Sequence, residues 1–429
     1  MPSSAAIRVA ILGFGTVGEG AYRMLEDNRE AITRKVGRPV EVVGIGVRDL
    51  TRSRTAPRSL FTNDLPKLVR REDVDVVLEL IGGLDPAASL VEQALERGVP
   101  VVTANKELIA KQGRELLSLA GRHHVDLHFE AAVGGGIPLV QPLKHQLAGN
   151  DVLKLIGILN GTTNTILTRM AVDGAGFDEA LREAQELGYA EADPTNDVDG
   201  YDAAYKLAIL GSIAFGRQVP VDQVYREGIR RVSQVDMHFA DVLGYAIKLL
   251  AIIEPAHETL FARVHPTLIP RTHPLAGVDG VYNAVWLHGD FVGDLMFSGR
   301  GAGSDPTASA VIGDLIGVAR DVVAGQSGQP ILWGEPIDLL PIADLETSYY
   351  VRLNVQDRPK VLGQIALEFG HHDVGLSAME MRVIDRKREL GEIVFLTHRC
   401  RESDFRAGLA SVAALDAIVE VCSDFRVEA

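Results

Sequence analysis

The sequence predicts an α/β protein in three parts: a doubly wound, parallel-sheet domain, an α+β middle domain and a ferredoxin-like βαββαβ tail. Three observations carry this. The apolar run Ile7 to Leu12 passes directly into the glycine pattern GFGTVG and then into a helical pattern. The alternation of strands and helices changes after about Gln141. From Thr347 onward the apolar runs follow the order βαββαβ.

At 429 residues the chain exceeds one ordinary core, so several domains are expected. A net charge of −15 argues against nucleic acid and anionic membrane surfaces as partners, since both select basic patches. No apolar run reaches the length of a membrane span, and the richest, Tyr245 to Ile253, contains Lys248. The only cysteines, Cys400 and Cys422, make no disulfide framework and suggest no zinc site, which points to a cytoplasmic protein. The opening segment MPSSAAIRVAILG lacks a basic region and cleavage site, so no leader is expected.

In the first domain, Ile7 to Leu12 suits a buried parallel strand. Gly13, Gly15 and Gly18 then supply a tight turn, close approach of a pyrophosphate, and helix–strand packing; a helix begins near Thr16 and Val17. This is a Rossmann-type fingerprint, and the GFGTVG residues Gly13, Phe14, Gly15, Thr16, Val17 and Gly18 form the expected cofactor loop. The second strand, Val40 to Val47, ends at Arg48-Asp49, with Arg52 and Arg54 beyond it. An acid there takes a ribose 2′-hydroxyl and arginines take a 2′-phosphate, so the cluster favours NADP, with NAD and Asp49 as the alternative. Val74 to Ile81 is the third strand and Pro86 to Arg97 a helix. Val99 to Thr103 is the fourth strand, with Ala104-Asn105-Lys106 at its carboxyl end, where ligands bind in open α/β sheets. The fifth strand, Val125 to Phe129, leads into Glu130 and three consecutive glycines, Gly134 to Gly136. A carboxylate with several carbonyls forms an oxygen cage for a hard cation; the alternative is an inter-domain hinge. His123, His124 and His128 show no metal-ligand spacing and read as ordinary surface or strand histidines.

In the middle domain, Val152 to Leu159 is a strand, and Asn160-Gly161-Thr162-Thr163-Asn164 opens a helix expected over Thr165 to Ala171. Such a helix start presents N–H and hydroxyl groups to an anion, or simply caps itself. A helix over Glu179 to Leu187 follows, then a loop crowded with carboxylates, then a helix from Tyr201 to Phe215. Asp202 and Lys206 are four apart on it and share a face. By itself that pair is either a surface salt bridge or a means of gripping an ammonium group and moving a proton. Leu260 to His265, Val281 to Leu287 and Phe291 to Phe297 read as strands of a mixed sheet. A second glycine cluster, Gly299 to Gly303, precedes the helix Pro306 to Val323, expected to return to the first domain.

The stretch with Ala184, Gly188-Tyr189-Ala190, Asp193-Pro194, Asp197-Val198, Gly200, Asp202 and Lys206 resembles the signature of homoserine dehydrogenases. GFGTVG, the TANK segment at Lys106, EAAVGGGIP and NGTTN occur in that family's order, so the resemblance covers the whole chain. It implies interconversion of L-homoserine and L-aspartate 4-semialdehyde with NADP or NAD, within the biosynthesis of threonine, methionine and isoleucine. Lys206 would transfer the hydroxyl proton, and Asp202 would orient the substrate and poise that lysine. Glu191 would bind the substrate ammonium, with Gly161, Thr162 and Asp197 as further substrate contacts. Arg48, Thr103, Lys106 and Gly303 would lie at the cofactor. Glu130, with the carbonyls of Val133, Gly135 and Ile137, would hold a monovalent cation such as sodium or potassium. The chemistry agrees: oxidising a primary alcohol needs hydride transfer to nicotinamide and removal of a hydroxyl proton, which a lysine partly withdrawn from water can accept. A catalytically silent NADPH and amino-acid sensor is the alternative; it would need neither Asp202 nor Lys206.

In the tail, Tyr349 to Val355 is a strand, Val361 to Phe369 a helix, Val374 to Val383 and Glu389 to Thr397 a hairpin, and Ala417 to Cys422 the last strand. Ser403 is expected to cap a helix over Asp404 to Leu415. Asp357, Pro359 and Gly375 stand where turn residues of ACT domains fall, so the tail resembles that amino-acid-binding module, implying a threonine effector. The resulting division is 1–137 with about 304–335, 138–303, a linker 336–346, and 347–429. Resemblance further implies a homodimer through the middle sheet or a homotetramer through the tails.

Overall fold

The computed structural model describes residues 5–326 and 333–428; residues 327–332 of the expected linker and return segment lie outside the described residues. Internal contacts group the chain into two units. One comprises residues up to 155, 205–222 and 282–337; the other comprises 156–204, 223–281 and 338 onward.

In the first unit a parallel sheet runs in the order Phe61–Thr62, Val40–Gly46, Ile7–Leu12, Val76–Glu79, Val101–Thr103, Leu127–His128. This 3-2-1-4-5-6 order is that of doubly wound dinucleotide-binding sheets. It places the strand reversal between Ile7–Leu12 and Val76–Glu79, where Gly13 emerges. The sequence reading omitted Phe61–Thr62, because two residues show no periodicity. Helix Thr16–Asp27 turns Ala21 and Leu25 inward. Helix Ser304–Ala324 returns from far along the chain to join the same core, burying Ala308, Val311, Ile312, Leu315 and Val318 with Val9 and Ile11. The Ser304 hydroxyl donates to the Thr16 carbonyl at 2.9 Å, and a Cβ at Gly20 would lie 2.5 Å from that hydroxyl oxygen. The hairpin Tyr282–Gly289 and Gly293–Arg300 also belongs to this unit.

In the second unit the sheet order is Tyr245–Ala256, Thr259–Pro270, Ile418–Val427, Glu346–Gln356, Leu390–Thr397, Leu376–Asp385. Neighbours are antiparallel except Thr259–Pro270 with Ile418–Val427. The last four strands, with helices Val361–His371 and Glu402–Ala413, stand in chain order βαββαβ and spatial order fourth-first-third-second, which is ferredoxin-like. They enclose a core containing Tyr349, Leu353, Ile365, Phe369, Phe395 and Phe405.

Two local expectations are corrected, and one unassigned run is placed. The apolar run at Tyr245 is a twelve-residue strand, Tyr245–Ala256. The helix expected from Thr165 begins at Gly161, because Asn160 caps it. Ser403 is not an N-cap: the helix begins at Glu402 with Arg401 before it, and the Ser403 hydroxyl donates to Asp404 at 3.3 Å.

Candidate active site

At the nucleotide end, sterics fix the glycine loop. Gly13 has φ +96°, and a Cβ there would sit 2.5 Å from the Leu80 carbonyl oxygen; one at Gly18 would sit 2.2 Å from the Gly13 carbonyl oxygen. Over Gly15, no atom of the described residues lies within 4 Å of an added Cβ. The open space faces the start of helix Thr16–Asp27, whose first N–H groups have no intrahelical partners, so a pyrophosphate fits there. Thr16 is exposed. Val17 packs on the core, and Phe14 meets Tyr22 and Phe61 edge-on at 5.8 and 5.2 Å.

Beyond the second strand, a cavity of about 350 Å³ is lined by Arg52, Arg54, Arg58, Thr51, Ser53 and Phe61, among others. Arg54 lies 5.2 Å over the Phe61 ring and donates to the Asp49 carbonyl at 2.6 Å. The Asp49 carboxylate accepts the Thr51 hydroxyl and N–H at 2.6 and 2.8 Å, and these bonds hold its carboxyl below the usual range. Arg48 is exposed and is not a lining residue; the sequence reading did not single out Arg58.

The sequence reading also missed Glu79. Fully buried, it accepts the Ile81 and Gly82 N–H groups at 2.8 and 3.3 Å and the Thr103 hydroxyl at 2.6 Å. The Thr103 side chain is therefore committed to Glu79. Lys106 is half-buried at the first position of helix Lys106–His123, which Asn105 caps through the Leu108 N–H. Gly303, φ +119°, opens helix Ser304–Ala324.

Glu130 is 6 % exposed. One of its oxygens accepts the Leu139 and Val140 N–H groups at 2.6 and 2.8 Å, and the other accepts that of Gln141 at 2.7 Å. Burial raises its pKa, the three N–H groups oppose this, and Asp314 adds to the rise. Asp314, also missed from sequence, accepts the Glu130 N–H at 2.8 Å. Three N–H donors take most of the roughly four acceptor positions of the Glu130 carboxylate. After it, Gly134 and Gly135 turn the backbone through φ +72° and +56°.

In the second unit the substrate-loop residues converge on Asn160. Its Nδ2 donates to Asp197 at 2.7 Å and Asp202 at 2.9 Å, while its Oδ1 accepts the Thr163 N–H and hydroxyl at 2.8 and 3.0 Å. The Thr162 hydroxyl donates to the Tyr189 carbonyl at 2.7 Å, tying the helix start to the loop, and Gly161 is half-buried beside it in sequence. Glu191 is exposed on that loop, and its carbonyl accepts Gln185 Nε2 at 3.0 Å. Farther along the Gly161–Val172 helix, Asn164 donates to the Val278 and Gly280 carbonyls. Buried Lys248 donates to the Val278 carbonyl and Asp279 at 2.7 and 2.8 Å, and its burial lowers its pKa. Helix Tyr201–Ala214, whose residues from 205 on count with the first unit, carries Asp202, 3 % exposed, and Lys206, 8 % exposed, one turn apart. Burial removes the surface-salt-bridge reading of this pair.

Two family models match: the homoserine dehydrogenase NAD-binding domain over residues 13–130 and the homoserine dehydrogenase domain over 138–316. A homoserine dehydrogenase from Synechocystis is 45 % identical, covering 98 % of this chain and 99 % of its own. The chain belongs to the homoserine dehydrogenase family. The crystal structure of a homoserine dehydrogenase from Thiobacillus denitrificans superposes with a TM-score of 0.94 at 42 % identity, covering 100 % of this chain and 99 % of its own. A hyperthermophilic archaeal homoserine dehydrogenase, solved in complex with NADPH, matches with a TM-score of 0.63 at 28 % identity and covers 73 % of this chain but 98 % of its own. This homoserine dehydrogenase is thus an NAD(P)-dependent oxidoreductase whose ferredoxin-like part lies beyond both family models. Among the described residues, no helix is long and apolar enough to cross a membrane.

Proposed function

We propose that the enzyme interconverts L-homoserine and L-aspartate 4-semialdehyde with NADP preferred over NAD. The observation that carries the site is the buried Asp202–Lys206 pair, with Asp202 held by Asn160. A nicotinamide bound beyond the loop from Gly13 to Gly18 would supply the acceptor for a hydride from the alcohol carbon. Lys206 takes the hydroxyl proton as the carbonyl forms and returns it in the reverse direction. Asp202 orients the substrate; Glu191 and Asp197 supply negative charge for its ammonium group, and Gly161 and Thr162 complete the contacts. The loop from Gly13 to Gly18 holds the pyrophosphate, with Lys106, Gly303 and the backbone at Thr103 nearby. Arg52, Arg54 and Arg58 supply the charge that a 2′-phosphate selects, while Asp49 is occupied by Thr51. A monovalent cation at the carbonyls of residues 130, 133, 135 and 137 would stiffen the junction after the fifth strand.

One set of assays tests this reading: NADP- and NAD-linked oxidation of L-homoserine by wild type, Asp202→Ala and Arg52→Ala/Arg58→Ala. Wild type oxidises homoserine and Asp202→Ala does not. The double arginine variant loses about tenfold or more in kcat/KM with NADP but little with NAD. Equal losses with both cofactors would refute the arginine assignment.

We assign the three functional segments as 1–137 with about 304–335, 138–303 and, after the linker, 347–429. The ferredoxin-like segment suits an ACT-type regulatory role with threonine as effector, in a cytoplasmic homodimer or homotetramer serving threonine, methionine and isoleucine synthesis. Millimolar threonine is expected to lower activity, and unchanged kcat and KM in its presence would exclude that effector. No observation favours the sensor alternative.

A further inference from the structure

We infer that Asn160 is a positioning residue for the reaction, its amide holding the Asp197 and Asp202 carboxylates in one arrangement at the substrate loop. The inference rests on the proposed role of Asp202. Asn160 is 5 % exposed and precedes helix Gly161–Val172 with φ −128° and ψ 114°, as an N-cap does. Capping uses only the acceptor half of the amide, here toward Thr163. Serine, threonine or aspartate would cap as well. The donor half is therefore surplus to the helix, and both its N–H groups go to carboxylates that lie 37 and 42 residues away in sequence. The amide orientation is fixed by chemistry. Ionised carboxylates only accept and the Thr163 N–H only donates, so a flipped amide would oppose like groups on both sides. Asp202, 3 % exposed, has little water around it, so protein donors such as the Asn160 amide set the direction of its carboxylate.

The test uses the full-length enzyme as Asn160→Ser and Asn160→Asp, with Asp202→Ala in parallel. Each is measured for kcat, KM for homoserine, NADPH affinity and Tm. Both substitutions preserve a cap. Asn160→Ser replaces the two amide donors with a single, shorter hydroxyl that cannot hold both carboxylates, and Asn160→Asp replaces them with a third carboxylate. Asn160→Ser is expected to lose about a hundredfold in kcat/KM for homoserine, with NADPH affinity and Tm near wild type. Asn160→Asp is expected to lose more. General loosening of the fold would lower Tm and weaken both substrates together. Wild-type kcat/KM in Asn160→Ser, beside an inactive Asp202→Ala, would reduce Asn160 to a cap and overturn the inference alone. If Asn160→Ser does not fold, wild-type kcat/KM in Asn160→Asp overturns it equally. An active Asp202→Ala would instead refute the reading of the site on which the inference stands.

Discussion

Replacing Lys206 with alanine is expected to lower kcat for homoserine oxidation by about three orders of magnitude while leaving NADPH affinity within a few-fold. Lys206 is 8 % exposed and lies one turn beyond Asp202 on a helix that is buried along most of its length, through Ala203, Ala204, Leu207, Ala208, Ile209 and Leu210. Alanine is the best helix former, so the helix survives the change. What disappears is the group proposed to take the hydroxyl proton, at a position that bulk water reaches poorly. The cofactor loop at Gly13 to Gly18 is built from its own strand and helix, so nucleotide binding persists. Steady-state kinetics and NADPH fluorescence titration check both halves. A large loss of NADPH binding with normal kcat would reverse the assignment.

How much of this was legible in the sequence depended on the range of the interactions. The strand–glycine–helix start follows from local sterics, and the structure realises it with the Gly13 and Gly18 contacts. Asp202 and Lys206 could be placed on one face because helical spacing is local; their burial could not, because it depends on how the whole chain packs. Asn160 was visible as a capping residue, whereas its two carboxylate partners are distant in sequence and its donor half was invisible. Glu79 was one of two acids, with Asp75, in the apolar run VDVVLELI, and an acid toward the end of such a strand is in hindsight a signal, since a buried acid needs donors. Its donors come from the turn at residues 81–82 and from Thr103 on the next strand. At Glu130 the glycines that follow suggested a cation cage, whereas the N–H groups of residues 139–141 that bind its carboxylate lie nine to eleven residues on and left no local signal. The strand at Tyr245 went unassigned because a continuous apolar run suits a buried strand or a buried helix equally.

The second large effect concerns stability. Arg426→Met is expected to cost about 3 kcal/mol at neutral pH, because it leaves the buried Glu402 with Arg406 as its remaining cation. The Arg426 side chain is 2 % exposed. It donates twice to Glu402 at 2.7 Å, pairs with Glu227 at 3.1 Å, and donates to the Tyr225 hydroxyl at 3.1 Å. It sits on the strand whose parallel pairing, Thr267 with Arg426 and Leu268 with Val427, joins the ferredoxin-like strands to the rest of their sheet. Burial pushes the Glu402 carboxyl up, but Arg426 and Arg406 outweigh it and hold it below the ordinary 4.5. A carboxyl depressed in the folded state stabilises above its unfolded pKa and loses that contribution as pH falls through the folded value. Without Arg426, the burial term gains weight and the Glu402 carboxyl protonates at higher pH. The deficit of the variant is therefore largest above pH 4.5 and shrinks on acidification below it. Urea unfolding of both proteins at neutral pH and near pH 4 measures this. A deficit independent of pH would show that lost packing of the long side chain, rather than the lost charge beside Glu402, sets the cost.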